Sequence, residues 1–209
     1  MFQSDIFNQD THSYASLDEL FTAMNRMSDD PLADAGTNMV ISRGNPGAKL
    51  LIIGEAPGPQ ENIQGKPFVG RAGQLLDKIL QAADFDPDQD VFITNSVFRM
   101  PPGEGEKAFR KPTTEEIQYY RQYVLEIIRL VDPFIMLLTG NVACQSLLEK
   151  TGITGLRGQW TMLGKIWTMP IFHPSYLLRN PSRNPGSPKS LMWEDIREVR
   201  RKFDELTRV

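Results

Sequence analysis

Four short apolar runs recur along the chain: Lys49–Ile53, Val91–Thr94, Phe134–Thr139 and Ile166–Phe172. Each is short for a helix and lacks the polar alternation of a half-exposed strand, as expected of parallel strands covered on both faces. Between them, apolar side chains recur at helical spacing. Ser16–Met27 places Leu17, Leu20, Phe21 and Met24 on one face behind a Ser16 N-cap. Gly73–Ala83 does the same with Leu75, Leu76, Ile79 and Leu80. Thr114–Val131, with Thr114 as N-cap and a stop before Asp132-Pro133, precedes two further helical patterns, Asn141–Glu149 and Lys189–Leu206. Strand and helix alternate, which predicts an α/β fold with a parallel sheet between helices. Residues 1–15 are polar and aperiodic and are expected to form a flexible N-terminal tail, leaving 16–209 as a single domain.

In such sheets the functional loops gather at the carboxyl ends of the strands. The loops after the four runs are Glu55–Gly70, Asn95–Pro112, Gly140–Asn141 and His173–Arg179, and they carry the unusual chemistry. GEAPGPQENIQGKPFVG packs three prolines and four glycines into 17 residues. Proline fixes the backbone and glycine admits close approach to a ligand. Glu55 follows the strand directly, where a carboxylate can be held rigidly. Phe68 either stacks on a ligand ring or anchors its loop. Asn95 offers donors and an acceptor for reading a base edge, or is a strand-end turn residue. His173 either supplies a proton or hydrogen bond to a leaving group, or is a packed, satisfied ring. Tyr176, Leu177 and Leu178, bordered by Arg179 and Arg183, suit an apolar wedge entering a duplex beside phosphate-holding cations. The same leucines could instead tuck into the core. His12 has no functional neighbour.

Composition narrows the classes. The chain has 209 residues, 40% hydrophobic and 23% charged, as suits one core. No run approaches the ~20 apolar residues of a membrane span, and MFQSDIFNQD lacks a secretory pattern, so a cytoplasmic protein with no membrane partner is expected. A single cysteine, Cys144, excludes an internal disulfide and a cysteine-built cluster, and no other ligand spacing suggests a metal. GEAPG lacks the features of both phosphate and dinucleotide loops. The net charge of −3 argues against a polyanion partner, but residues 157–209 carry 10 basic and 5 acidic side chains. Arg197, Arg200, Arg201 and Lys202 are either a phosphate-facing patch or the solvated face of a final helix.

GEAPG, six residues, GKPFVGRAGQLL, then a strand ending in Thr94-Asn95, then HPSYLLR, resembles the uracil-DNA glycosylase superfamily. The likeness runs from about Pro31 to Arg179 and is greatest to the thermostable, iron–sulfur-containing branch called family 4. The resemblance implies a three-layer α/β/α sandwich with a central four-stranded parallel sheet, and a base flipped out of the duplex into a pocket. It implies that Glu55 positions or activates water beside the amides of Ala56–Gly58, that Phe68 stacks on uracil, and that Asn95 reads its polar edge. His173 would stabilise the departing anion. Ser175, Tyr176, Leu177 and Arg179 would contact DNA, with Leu177 filling the vacated space. The implied partner is DNA containing uracil or another deaminated base, and a monomer is expected. Alternatives are a glycosylase for hypoxanthine or xanthine, or a catalytically silent DNA- or nucleotide-binding module with the same pocket.

Two departures stand out. The four cysteines that hold a [4Fe–4S] centre in family 4 correspond here to Met27, Asp30, Arg99 and Tyr120, so no cofactor is expected. The Arg99–Pro112 loop is longer than the family's Pro-Pro-Gly-Asn-Arg form, carries Glu104 and Glu106, and lacks the reactive histidine of a subgroup trapped on DNA. Turnover rather than trapping is therefore expected.

Overall fold

The computed structural model describes residues 14–103 and 109–208. Its strands are β1 (Ser42–Gly44), β2 (Leu50–Gly54), β3 (Val91–Asn95), β4 (Ile135–Thr139), β5 (Thr161–Leu163) and β6 (Ile166–Ile171). They form one sheet in the order β1-β3-β2-β4-β6-β5. The central strands β3, β2, β4 and β6 run parallel, matching the four apolar runs. The expected four-stranded sheet is extended by antiparallel edges, β1 on β3 and β5 on β6. Ser-Arg-Gly and Thr-Met-Leu are too short to show a period, and their strand state comes from the neighbour they pair with.

The helices are α1 (Leu17–Asn25), α2 (Pro59–Gln64), α3 (Arg71–Ala82), α4 (Thr114–Val131), α5 (Asn141–Leu148), α6 (Ile153–Leu156), α7 (Pro174–Arg179) and α8 (Pro188–Thr207). Successive strand residues point to opposite faces. Leu51, Ile53, Met136 and Leu138 therefore meet Leu20, Met24, Val124 and Leu147 from α1, α4 and α5. Leu50, Ile52, Ile135 and Leu137 meet Leu76, Leu80, Met192 and Ile196 from α3 and α8. Both faces are covered, which is why each central strand reads as an unbroken apolar run. Ser16 caps α1 as its position predicts. The cap of α4 is Thr113 rather than Thr114, in a reciprocal box with Glu116.

Tyr14 and Ala15, assigned to the tail by composition, are tied down. The Tyr14 amide donates to Glu126 at 2.7 Å and its carbonyl accepts from Arg129, while the Ala15 amide donates to Glu19. Residues 1–13, including His12, lie outside the described residues, as do Glu104 and Glu106. No described helix is long and apolar enough to cross a membrane.

A buried ion cluster joins the chain's first third to α4. Asp30 Oδ2 accepts from Arg99 Nε at 2.6 Å, and Oδ1 accepts from the Leu32 amide at 2.8 Å and from the Tyr120 hydroxyl. Arg99 also donates to the Thr37 carbonyl. Burial and the adjacent Asp30 carboxylate push the Tyr120 hydroxyl up, so it stays a donor. A buried charge is tolerated when paired with its lone pairs filled, and removing one partner strands the others. Asp30→Ala is expected to lower unfolding free energy by ~3 kcal/mol or more, and Tyr120→Phe by ~1 kcal/mol, in urea melts. A smaller loss for Asp30→Ala than for Tyr120→Phe would contradict this ordering.

Candidate functional site

Gly54 and Asn95 are register partners at the carboxyl ends of β2 and β3, and Thr139 pairs with Ile171 at the ends of β4 and β6. Glu55, Asn95, Gly140 and His173 therefore leave the sheet along one edge. A Cβ at Gly54 would lie 2.3 Å from Asn95 Oδ1 and 2.5 Å from the Phe68 ring. The missing side chain is what allows that ring and that amide to converge. The Phe68 and His173 ring centroids are 5.8 Å apart, and His173 also packs against the backbone at Gly140. Asn95 is 2% exposed overall; its side-chain amide makes no hydrogen bond among the described residues and keeps contact with solvent. An amide that reaches solvent with its donors and acceptor free is open to a ligand.

Phe68 has φ +54°, a region a bulky L-residue rarely adopts. Two side chains the sequence did not single out hold its segment. Glu61 accepts from the amides of Val69 at 2.9 Å and Gly70 at 2.7 Å, and from that of Gly58 at 3.2 Å. Arg43 donates to the carbonyls of Pro67 at 3.0 Å and Phe68 at 3.4 Å and pairs with Asp77 of α3. A usable signal existed for Glu61, an acid in the first turn after Gly58. Arg43 had none, because its strand was invisible to periodicity.

The two titratable groups are shifted in opposite directions by one cause. Burial raises the Glu55 carboxyl above its ordinary value, opposed by the Lys111 and Arg179 cations. Burial lowers the His173 imidazole to about 4, with Arg179 acting in the same direction. His173 is thus neutral at physiological pH. Its Nδ1 accepts the Ser175 amide at 3.2 Å, so the ring proton resides on Nε2, which has no hydrogen-bond partner among the described residues. The site presents a neutral N–H donor and a carboxyl group at the same carboxyl-end edge of the sheet.

Several assignments from sequence change. HPSYLLR is a short helix, α7, with His173 as its N-cap, rather than a surface loop. Leu177 is 1% exposed and packs in the core with Leu76 and Met192, so it cannot enter a duplex. Its neighbours Tyr176 and Leu178, 37% and 38% exposed, face outward. The Ser175 amide and hydroxyl both meet His173 Nδ1, so Ser175 orients that ring. Gly58's amide is occupied by Glu61 and Pro57 has none, which leaves only Ala56's in the expected set. Arg179 is exposed at the end of α7. Within α8, Arg200, Arg201 and Lys202 pair with Asp204, Glu198 and Glu205. Arg197 and Arg201 are exposed, as a solvated face requires, but Lys202 is buried over the Trp167 ring and Arg200 lies over Phe85 and Phe203.

The positions matching the family's cluster ligands do not fit an iron–sulfur centre. Asp30, Arg99 and Tyr120 are bonded to one another, Met27 packs against the core, and none supplies a thiolate. The chain's one cysteine, Cys144, is buried in α5, where burial pushes its thiol up to about 12. Among the described residues no group of histidine, cysteine and carboxylate side chains could hold a metal.

The profile of the uracil DNA glycosylase superfamily matches residues 41–197. The chain is 35% identical over 175 residues to a type-4 uracil-DNA glycosylase of Thermotoga maritima, covering 81% of this chain and 85% of that protein. It is 35% identical over 172 residues to a type-4 uracil-DNA glycosylase of Saccharolobus solfataricus, covering 78% and 75%. With one of Sulfurisphaera tokodaii the identity is 33% over 174 residues, covering 78% and 74%.

In an NMR pH titration, the His173 imidazole is expected to stay neutral, with Nε2 protonated, down to about pH 4. Arg179→Gln should move its midpoint upward, because the cation that penalises the imidazolium is gone. A midpoint near the ordinary 6.5 in the unsubstituted protein would contradict the burial argument.

Proposed function

We propose, for a chain that belongs to the uracil-DNA glycosylase superfamily, that it removes uracil from DNA by hydrolysing the N-glycosidic bond of the flipped-out nucleotide. It acts as a monofunctional glycosylase, a monomer, and without an iron–sulfur cluster. Membership supports DNA glycosylase chemistry. The observation that carries it is that the Phe68 ring and the Asn95 amide converge over Gly54, with the His173 imidazole 5.8 Å from that ring.

The geometry supports a role for each residue. Phe68 stacks on the base, worth ~1–3 kcal/mol. Asn95 pairs with its polar edge, offering both donor and acceptor. As the C1′–N1 bond breaks, its electron pair leaves on the base, and His173 Nε2–H hydrogen-bonds the developing anion. A neutral donor suits this task, since it stabilises the anion without an ionised group in the buried cleft. The sugar becomes cation-like, and the Glu55 carboxylate faces it. Glu55 accepts a proton from water as the water oxygen bonds to C1′, leaving an abasic site. Tyr176 and Leu178 take the outward position expected of Leu177, with Arg179 beside them for phosphate. Ile63 in α2 and Phe109 after β3 are further exposed apolar side chains.

Labelled oligonucleotides bearing uracil, hypoxanthine or xanthine, followed by alkaline cleavage of abasic sites, test the reading. Uracil is expected to be cut and no cleavage of any would overturn it; cleavage of a purine alone would overturn uracil as the substrate. Glu55→Gln and His173→Ala should each lower kcat by roughly 10²–10⁴-fold while retaining DNA binding. Leu178→Ala should impair cleavage of duplex more than of single strands, and Leu177→Ala should instead lower thermal stability. Because Glu55 works ionised, kcat/KM falls as pH drops through its raised value. Arg179→Gln removes a cation that favours the carboxylate, so that acid limb moves to higher pH.

A further inference from the structure

We infer that Glu61 and Arg43 are positioning residues for Phe68, Glu61 holding the amides that follow the ring and Arg43 the carbonyls at and before it. The inference rests on the reading of Phe68 as the ring on which a flipped base stacks.

A stacking ring is useful only if it is already in place, because ordering it at the moment of binding would consume part of the interaction. Phe68 is in the left-handed region, so its own backbone preference would move the ring elsewhere. The peptide groups around it are held by groups of opposite charge on their two ends. On the amide side, one Glu61 oxygen takes Val69 and Gly70 together, and the other takes Gly58. Gly58 and Gly70 are the N-cap positions of α2 and α3, and glycine has no side chain with which to cap. Glu61 serves both helix starts, a carboxylate where backbone N–H groups are otherwise unfilled. The glycines also make room for it, since a Cβ would lie 2.8 Å from the carboxylate at Gly58 and 3.1 Å at Gly70.

On the carbonyl side, Arg43 reaches from the sheet edge to the Pro67 and Phe68 oxygens and is itself fixed by Asp77 on α3. The Phe68 carbonyl is pressed against Gly73, where a Cβ would fall 1.8 Å from its oxygen. The segment from Pro67 to Gly70 therefore cannot slide toward α3, and the charged groups prevent it from lifting away. Glu61 and Arg43 meet the segment through its backbone, so they act on a ligand through the ring.

The test uses the full chain. Affinity is measured for two duplexes, one with 2′-fluoro-2′-deoxyuridine, which offers an uncleaved base, and one with a tetrahydrofuran abasic analogue, which offers none. Glu61→Ala and Arg43→Ala should weaken binding of the fluorouridine duplex about tenfold, the order of a lost base–aromatic stack, with the tetrahydrofuran duplex nearly unchanged. Glu61→Gln keeps one acceptor oxygen and should recover part of the loss. Glu61→Ala combined with Phe68→Ala should bind no worse than Phe68→Ala alone. Equal loss on both duplexes, or additive losses in the double variant, overturns the inference. Amide hydrogen exchange decides the clamp independently of substrate. Val69 and Gly70 should exchange faster in Glu61→Ala and partly so in Glu61→Gln, and unchanged exchange overturns it. If the unsubstituted protein cuts no uracil and shows no preference for the fluorouridine duplex, the base-binding reading fails while the exchange data still judge the clamp.

Discussion

The Phe68 ring lies where Gly54 has no side chain, and the backbone beneath it is in a conformation that bulky residues avoid. A backbone so placed costs ~1–3 kcal/mol and persists only where its surroundings leave no better choice. Those surroundings come from four parts of the chain: the edge strand through Arg43, the motif loop through Glu61, the start of α3 through Gly73, and the end of β2 through Gly54. The other site groups are arranged with reference to the ring. Asn95 approaches it across Gly54, and His173 faces it at 5.8 Å. Displacing the ring would break the approach of the aromatic face and the Asn95 amide over Gly54.

The segment from Asn95 to Arg99 links this site to the ion cluster on the far side of the loop. Ser96 donates its amide and hydroxyl to the Gly54 carbonyl at 3.0 and 2.8 Å, and the Val97 amide donates to the Glu55 backbone carbonyl at 3.1 Å. Two residues further on, Arg99 enters the Asp30 cluster. The connection that four thiolates and an iron–sulfur centre would make is made here between Asp30, Arg99 and Tyr120, by hydrogen bonds and one buried ion pair. The aromatic contacts of Tyr120 with Phe98 and Tyr119 fill the adjoining space.

Sequence revealed most where burial is symmetric. β2, β3 and β4 are buried at every position, so they were legible as unbroken apolar runs, and the loops after the parallel strands followed from strand direction alone. β1 and β5 were not legible, because three residues on a sheet edge carry no pattern of their own. Leu177 and Leu178 show another limit. They are adjacent and identical, and only the phase of α7 against α3 and α8 decides which one is inside. The fixed point is His173, whose Nδ1 caps the helix, and such a cap is a matter of side-chain geometry rather than residue spacing. The roles of Glu61 and Ser175 were missed or misread for a related reason. Both act on neighbouring backbone or rings, and a one-dimensional motif does not distinguish a residue that meets the ligand from one that holds its neighbour.

The electrostatics of the cleft tie these pieces to the chemistry. Burial acts alike on both ionisable groups, favouring neutral Glu55 and neutral His173. For His173 neutrality is the useful state, and Arg179 reinforces it. For Glu55 the useful state is the charged one, and Lys111 and Arg179 restore part of what burial removes. A single cation, Arg179, thus pushes both groups toward the forms hydrolysis requires, although it pushes their values the same way. Its position at the end of α7 makes that influence dependent on occupancy. In the proposed reaction, a phosphate drawn to Arg179 would offset its charge as the cation-like sugar forms next to Glu55 and the anionic base next to His173. On that proposal the reacting sugar itself would stabilise the charged carboxylate, tying the ionised state of Glu55 to the transition state more than to the unliganded site.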